Sequence, residues 1–489
     1  MNPNTPVIIG ISQIQQRVKD EFSGDEPIDM MIDAVNQAAD DAGSRSLLKN
    51  LESVRVIRGV WRYKQPARYI AEKLGCPGAE TFGTSFGGNS VQVMVNQSAK
   101  EILAGERSLL VLTGAENGST LAKARKAGVE FSYKETQDLK YDRMLGSEDP
   151  MACEAEMARG IRQPIQVYPI FENAIRYHRG ENIDEHLKRV SEMWAGFSKV
   201  AAGNPGAWIR DAIDAETIRT AADKNRMISF PYPKLMNSNN AVDMAAAIIM
   251  CSVEKAKSLG VPESQWVYPW VGTDAYDHDF VSSRDNLYSS PAIRLAGLKA
   301  LELAKVGVND LEFVDVYSCF PSAVQVAASE LGLPMDKPLT ITGGLTFGGG
   351  PLNNYVMHSI ARMVELNREH QGKVGLITAN GGYLSKHSFG VYSSEPPAQD
   401  FQHQNLQAEV DATPKREWLV DHDGEVVIES YTVMYGSDGP AVGHAACLTA
   451  DGKRTWANTE DKDLAVEMTQ QEFCGRRAKI NGAGVLDIL

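Results

Sequence analysis

One short turn occurs twice in this chain. "SFGGNS" occupies residues 85–90 and "TFGGGP" occupies residues 346–351, and each leads into an amphipathic helical stretch and then an apolar strand. After the first turn, "SVQVMVNQSAKEILAG" places Val91, Met94, Val95, Ala99, Ile102 and Leu103 on one helical face before "RSLLVLTGAENGS". After the second, "YVMHSIARMVELNREH" precedes "GKVGLITANGG". Turn, helix and buried strand in a repeated order make two similar layered α/β halves the expected architecture. The first peptide N–H groups of a helix have no partner within it, so a glycine turn there favours an anion or a developing oxyanion. Gly87, Gly88, Gly348, Gly349 and Gly350 could serve only as tight-turn residues. Their duplication points instead to two facing ligand sites.

The remaining segments fit this frame. "TPVIIGISQ" reads as a strand, residues 29–43 as a helix stopped by glycine, and "SVRVIRGVW" as a strand. Between about residues 119 and 240 strand signals thin out, and a mainly helical excursion is expected. Its basic residues Arg176, Arg179, Arg210, Lys224 and Arg226 would each ordinarily be solvated, but as a group they are candidates to hold a phosphorylated ligand. α/β character resumes with "NAVDMAAAIIMCSVEKAKSLG", read as a helix or helix–strand element, then the strand "QWVYPWVGTDA", the helix "PAIRLAGLKALELAKVG" and the strand "DLEFVDVYSCF". Beyond residue 394, alternating strands broken by "GSDGP" and "ADGK" read as a separate small barrel similar to an OB-fold. The expected division is 1–118 with 240–262 as the first half, 119–239 as the helical excursion, 263–398 as the second half and 410–489 as the barrel.

Composition excludes several classes of function. No apolar run approaches the roughly 20 residues that cross a bilayer, and the first residues lack the basic lead-in of a signal peptide. A net charge of −14 disfavours nucleic acid and acidic membranes as partners. Cys76, Cys153, Cys251, Cys319, Cys447 and Cys474 are scattered without metal-type spacing, so free thiols, a cytoplasmic location and no metal are expected.

From residue 6 to 392 the chain resembles the thiolase superfamily. "GGNSVQVMVNQSAKEILAGERSLLVLTGAENGS" is similar to the segment in which a nucleophilic cysteine opens the central helix. "VDVYSCF" stands where sterol-carrier-type thiolases place His-Asp-Cys-Phe, "GGLTFGGGPL" where a Gly-His-Pro loop falls, and "LITANGGYLSKHS" where the second reactive cysteine falls. With its carboxy-terminal β domain, the chain most resembles thiolase-like proteins of type 1. It departs from the catalytic pattern throughout: the nucleophile position aligns with Gly87, the motif histidine with Tyr317, the loop histidine with Gly350, and the second cysteine with Ala379 or Asn380.

The resemblance implies a coenzyme A thioester as ligand, no metal, and no ordinary thiolysis, which needs a thiolate and a base. Steroid side-chain aldolases related to thiolases also carry tyrosine for the catalytic histidine and work beside an OB-fold partner. The resemblance therefore implies retro-aldol cleavage or acyl transfer on a 3-hydroxy- or 3-ketoacyl-CoA in lipid or steroid metabolism. Tyr317 would act as base, assisted by Tyr383, Lys386 or His387, since a free phenol with a pKa of about 10 needs help near neutrality. Peptide N–H groups around Gly88, Asn89, Gly381 and Gly382 would hold the enolate. Asn89 is also suited to a helix cap and His358 to packing within its helix. One alternative is a non-catalytic acyl-CoA or lipid-binding scaffold; another is a condensing acyltransferase using Cys319, which otherwise reads as a small apolar filler. Either a homodimer or a monomer fits, the latter if the barrel covers the pairing surface.

Overall fold

The computed structural model describes residues 1–18 and 24–489. Its strands in chain order begin with β1 (Pro6–Gln15), β2 (Ser53–Val56), β3 (Glu80–Thr84), β4 (Leu109–Asn117), β5 (Arg143–Leu145), β6 (Met227–Ser229), β7 (Tyr232–Pro233) and β8 (Asp243–Ser252). All but β6 and β7 form one sheet in the order β1-β8-β4-β2-β3-β5. A second sheet combines β9 (Tyr268–Tyr276), β10 (Leu311–Asp315), β11 (Val374–Gly381), β12 (Lys386–Ser393) and β13 (Gln402–Asn405) in the order β10-β11-β12-β9-β13. The repeat in the sequence is a repeat of topology. In the first sheet β2 runs parallel to β4, which pairs antiparallel with β8 and through it with β1. In the second, β10 runs parallel to β11, which pairs antiparallel with β12 and through it with β9.

The helices that follow the two glycine turns, Ser90–Leu103 and Tyr355–Glu369, touch strands of both sheets and so form the central layer. The first is buried well beyond its apolar stripe: Gln92, Asn96, Ser98 and Glu101 are all at most 2% exposed. Their polar groups are matched, as burial requires. Gln92 Oε1 accepts from the Tyr392 hydroxyl at 2.8 Å, and Asn96 Nδ2 donates to Ser388 Oγ at 3.1 Å. Glu101 takes the buried Arg55 from β2 and, at 2.9 Å, Arg143 from β5. Outside the first sheet, the helix Pro27–Asp41 comes so close that a Cβ on Gly10 of β1 would lie 2.2 Å from the carbonyl oxygen of Ala38.

The alanine-rich "DMAAAIIMCS" is the strand β8 and not a helix, followed by the short helix Val253–Ser258. It is buried at every position between β1 and β4, and small side chains let helices approach both faces.

In the helix Tyr355–Glu369, His358 is 3% exposed, with Nδ1 3.1 Å from Gln13 Oε1 and Nε2 unpartnered among the described residues. Burial lowers its pKa to about 3. The native state then keeps His358 neutral while the unfolded chain protonates it below its ordinary value of about 6.5. Stability is therefore complete above pH 6.5 and falls as pH drops below it, at up to about 1.4 kcal/mol per unit from this group. Urea midpoints at pH 6.5 and 5.5 should show that slope in the wild type and its loss in His358→Gln.

A third sheet is built from β14 (Gly424–Gly436), β15 (Gly439–Leu448), β16 (Arg454–Thr459), β17 (Arg477–Ile480) and β18 (Leu486–Ile488), ordered β16-β15-β14-β17-β18. Val485 bridges Asn458, which draws the two edge strands together. This sheet is tied to the excursion, because β6 pairs with β14 through Ser229 and Met434. It also grips the excursion helix Pro164–Arg179: Ser430 Oγ donates to the Ile170 carbonyl at 2.5 Å and Asn173 Nδ2 to the Tyr431 carbonyl at 2.8 Å. The fully buried Arg454 donates to the carbonyls of Val281 and Ser282 and to Glu429.

Candidate functional site

Several chain segments meet at a cavity of about 360 Å³. These are the first glycine turn, the residues after β10, the turn between β11 and β12, the start of the Pro164–Arg179 helix, and stretches near residues 237–240 and 345–353. The loop after β10 is held by Asp315, which accepts from Thr340 Oγ1 at 2.8 Å, Ile341 N at 2.9 Å, Ser359 Oγ at 2.6 Å and Tyr355 Oη at 3.0 Å. Tyr317 follows two residues later, its N–H donating to Thr378 Oγ1 at 2.9 Å and its ring edge-on to Tyr355.

The hydroxyl of Tyr317 faces Gly88. A Cβ built on Gly88 would lie 2.4 Å from Tyr317 Oη and 2.3 Å from the Asn380 carbonyl oxygen, whereas one on Gly87 would meet Asn89 Oδ1 at 2.7 Å and Ser90 Oγ at 3.3 Å. The resemblance implied Gly87 as the nucleophile position, whereas the direction toward Tyr317 belongs to Gly88. Asn89 occupies the cap position of the Ser90–Leu103 helix without a side-chain cap bond, and among the described residues the N–H groups of Gly88 and Asn89 donate to no protein acceptor. Asn89 Oδ1 lies instead against Gly381, where a Cβ would come within 2.4 Å of it. Gly381 and Gly382 complete this wall, Gly382 in the left-handed region at φ 64°.

Among the described residues, no Asp, Glu, Lys, Arg or His side chain lines the cavity. Its ionisable groups are Tyr168, Tyr317, Cys319 and Tyr383, and burial raises all four. Cys319 is pushed up to about 12, with Sγ 3.7 Å from Asn380 Nδ2. Tyr317 is raised further still by burial and by the neighbouring Cys319, so its resting form is the neutral phenol and not a phenolate. Tyr383, pushed up to about 12, donates its hydroxyl to the Arg162 carbonyl at 2.5 Å.

Several predicted residues lie elsewhere. His387 does not line the cavity: its Nε2 is 3.0 Å from the Leu384 carbonyl and 3.5 Å from Asp277. Asp277 is buried, and burial opposes its ionisation, but Arg284 and the hydrogen bond from His387 hold its carboxyl down to about 2. The His387 imidazole thus has its partners within the protein, the Leu384 carbonyl first and Asp277 next. Lys386 Nζ stands 5.9 Å over the ring of Tyr276. Gly350 already donates its N–H to the Asn239 carbonyl at 3.0 Å, and a Cβ on Gly349 would strike Met244 Sδ at 2.6 Å. Gly350 thus has its N–H engaged and Gly349 is closely packed, and neither lines the cavity. Residues that flank the second turn, Leu345, Leu352 and Asn353, line the same cavity as the first turn.

None of the five basic candidates lines the cavity. Arg176 is buried and bound to Glu472 and Tyr431, while Arg179 pairs with Glu181 beside a separate groove of about 930 Å³. Arg210, Lys224 and Arg226 are exposed.

Sequence reasoning missed Tyr168, Gln163, Asn237, Asn240 and Asn353 as wall residues. Tyr168 accepts from Leu384 N and Asn380 Nδ2, each at 3.0 Å, and so pins the Gly382 turn. The asparagine-rich "NSNN" at 237–240 was the one local signal available.

Residues 405–484 match the family described as the thiolase-like protein type 1 additional C-terminal domain. At 32% identity and a TM-score of 0.84, 98% of the chain is similar to a monomeric SCP2-thiolase-like protein type 1 from Mycobacterium smegmatis, of which it covers 97%. The Ltp2–ChsH2(DUF35) aldolase shares the fold, at 20% identity and TM-score 0.61 over 80% of this chain and 98% of its own. An acetyl-CoA acetyltransferase from Methanocaldococcus jannaschii is 28% identical over 127 residues, 23% of this chain and only 32% of that enzyme's length.

Proposed function

The chain belongs to the family of SCP2-thiolase-like proteins of type 1, and we propose that it binds a coenzyme A thioester in the glycine-turn cavity without thiolytic acyl transfer. The observation that carries this reading is a cavity with no charged side chain and no imidazole among its described lining residues. Thiolysis needs a thiolate, and a thiol with a pKa of about 12 is ionised to only about one part in 10⁵ at pH 7. A neutral donor remains useful. The N–H groups of Gly88 and Asn89 and the hydroxyl of Tyr317 suit a thioester carbonyl, which accepts hydrogen bonds without charge.

The nucleotide end of coenzyme A lies outside this neutral cavity. We assign its phosphates to Arg162, which is exposed and whose carbonyl is fixed to the cavity wall by Tyr383. β5 covers the β3 edge of the first sheet with the protein's own chain, which favours a monomer. We extend the proposal to a role in lipid metabolism in the cytoplasm.

A second reading, carbon–carbon cleavage, is favoured by the placement of the Tyr317 hydroxyl at Gly88. A neutral phenol can give its proton to C2 of a 3-hydroxyacyl thioester as the C2–C3 bond breaks and take the C3 hydroxyl proton in return. The products are a carbonyl compound and the shortened thioester, and the tyrosine ends unchanged.

Calorimetric titration with acyl-CoA and free coenzyme A, together with turnover assays on 3-keto- and 3-hydroxyacyl-CoA, separates the readings. Wild type should bind acyl-CoA and show no thiolysis. Tyr317→Phe should weaken acyl-CoA by about three- to tenfold, one neutral hydrogen bond, and leave free coenzyme A unchanged. Absence of binding, or thiolysis, overturns the proposal; cleavage of 3-hydroxyacyl-CoA that vanishes in Tyr317→Phe replaces it with the second reading.

A further inference from the structure

Among the described residues, the residues other than glycine that hold a positive φ are Lys305 at 56°, Leu352 at 46° and Leu384 at 58°. In this left-handed region the Cβ crowds the following carbonyl oxygen, so a leucine there is strained. Lys305 is exposed and ends the helix Pro291–Ala304, an ordinary place for such a residue. Leu384 is 1% exposed and fixed through both main-chain groups: its N–H donates to Tyr168 Oη, and its carbonyl accepts from Arg284 Nη1 at 2.8 Å. Neither reason applies to Leu352.

Pro351, at φ −74° and ψ 52°, makes a three-residue turn in which Leu352 N–H donates to the Gly350 carbonyl at 2.7 Å. The next two residues are tied to the first half of the molecule, Asn353 Nδ2 to the Arg58 carbonyl at 2.7 Å and Asn354 Nδ2 to the Gly114 carbonyl at 2.8 Å. These anchors on either side impose the conformation of Leu352. Packing could offset the strain, but Leu352 is only partly buried, belongs to no hydrophobic cluster among the described residues, and lines the glycine-turn cavity. Phe86 and Met151, 39% and 41% exposed, line the same cavity and are likewise outside those clusters. Uncovered apolar side chains in a concave site, one of them strained, are what a ligand site presents.

We propose that Leu352 is a specificity residue for the acyl group, held in its strained conformation so that its side chain, with Phe86 and Met151, contacts a hydrocarbon chain. The proposal rests on the reading of the cavity as a thioester site and adds the substrate class: acyl groups that continue as hydrocarbon well beyond acetyl. The direction of the ligand follows from the anchors. Arg162, assigned to the phosphates, is fixed by Tyr383 to the turn between β11 and β12, whereas Leu352 is fixed through Asn353 and Asn354 to main chain of β4 and of the residues after β2. With the thioester carbonyl at Gly88 and Tyr317 between these walls, the acyl chain extends to Leu352.

The test is calorimetric titration of the full chain with acetyl-CoA, octanoyl-CoA and free coenzyme A, together with thermal unfolding. Wild type should bind octanoyl-CoA at least about tenfold more tightly than acetyl-CoA. Leu352→Gly should weaken octanoyl-CoA by at least about fivefold and leave acetyl-CoA and free coenzyme A within about twofold. It should also raise the unfolding midpoint by about 1–2 °C as the strain is released. Leu352→Met, which keeps the apolar reach, should hold octanoyl-CoA within about twofold. Lys305→Gly is the control: it relieves a left-handed residue outside the cavity wall, so the midpoint should rise and every affinity stay unchanged. Equal binding of octanoyl- and acetyl-CoA by wild type, an undiminished octanoyl-CoA affinity in Leu352→Gly, or a lowered midpoint in that variant overturns this proposal and leaves the thioester site standing. An equal loss for free coenzyme A also overturns it, because the side chain would then contact the part common to all ligands. Failure of every ligand to bind wild type overturns both.

Discussion

Replacing Gly88 with alanine should abolish ligand binding, with an affinity loss of at least about 100-fold. The added methyl would sit 2.3 Å from the Asn380 carbonyl oxygen and 2.4 Å from Tyr317 Oη, closer than real contacts allow. The first obstacle is backbone at the end of β11, and the second is a ring wedged against Tyr355, so neither yields easily. Overpacking of this kind costs about 1–3 kcal/mol, and a displacement of about 1 Å at the hydrogen-bonding groups accounts for the rest. Gly87→Ala is the control. Its nearest obstacle is the end of the Asn89 side chain at 2.7 Å, which can rotate, so binding should fall by less than about tenfold. Calorimetry and thermal unfolding on both variants check this; a Gly88→Ala protein that binds acyl-CoA like wild type would remove this cavity as the site.

Arg176→Ala should cost about 2–4 kcal/mol of stability and leave acyl-CoA affinity in the folded protein within about threefold. The guanidinium is 1% exposed and is shared among Glu472, Tyr431 Oη at 3.2 Å and Asn173 Oδ1 at 3.3 Å. Removing it takes a donor from Tyr431 of β14 and from Glu472 and empties a buried space beside the helix Pro164–Arg179, whose first turns form the cavity wall. A role in holding a phosphate predicts the reverse: an intact fold and a large loss of affinity. Urea unfolding and calorimetry distinguish the two, and Lys224→Ala, at an exposed position, should change stability by less than about 0.5 kcal/mol.

The misassigned residues have a common physical origin. Arg176 and His387 look like site residues by charge and by position, but Glu472 and Asp277 claim them in the folded chain. Both partners are far away in sequence, and no local pattern links them. The reverse holds for Tyr168 and Asn237, ordinary in their own segments, which become wall residues because unrelated elements meet there. β5 escaped notice because three residues carry too little periodicity to read as a strand; the open edge of β3 makes it one. β8 read as a possible helix because alanine favours helices, and its place between two strands overrides that preference.

Local spacing of apolar residues and glycines was enough to establish two like α/β halves and their central helices, while glycine and tyrosine in place of a thiolase-type cysteine and histidine were what the resemblance implied. Backbone periodicity is a property of neighbours, so it can be read from neighbours. Which glycine faces Tyr317, the meeting of the first turn with residues flanking the second, and the lack of charged side chains among the described lining residues were decided only by tertiary contact. The protonation and reach of a side chain depend on groups brought together from distant parts of the chain, and burial at that meeting point sets them.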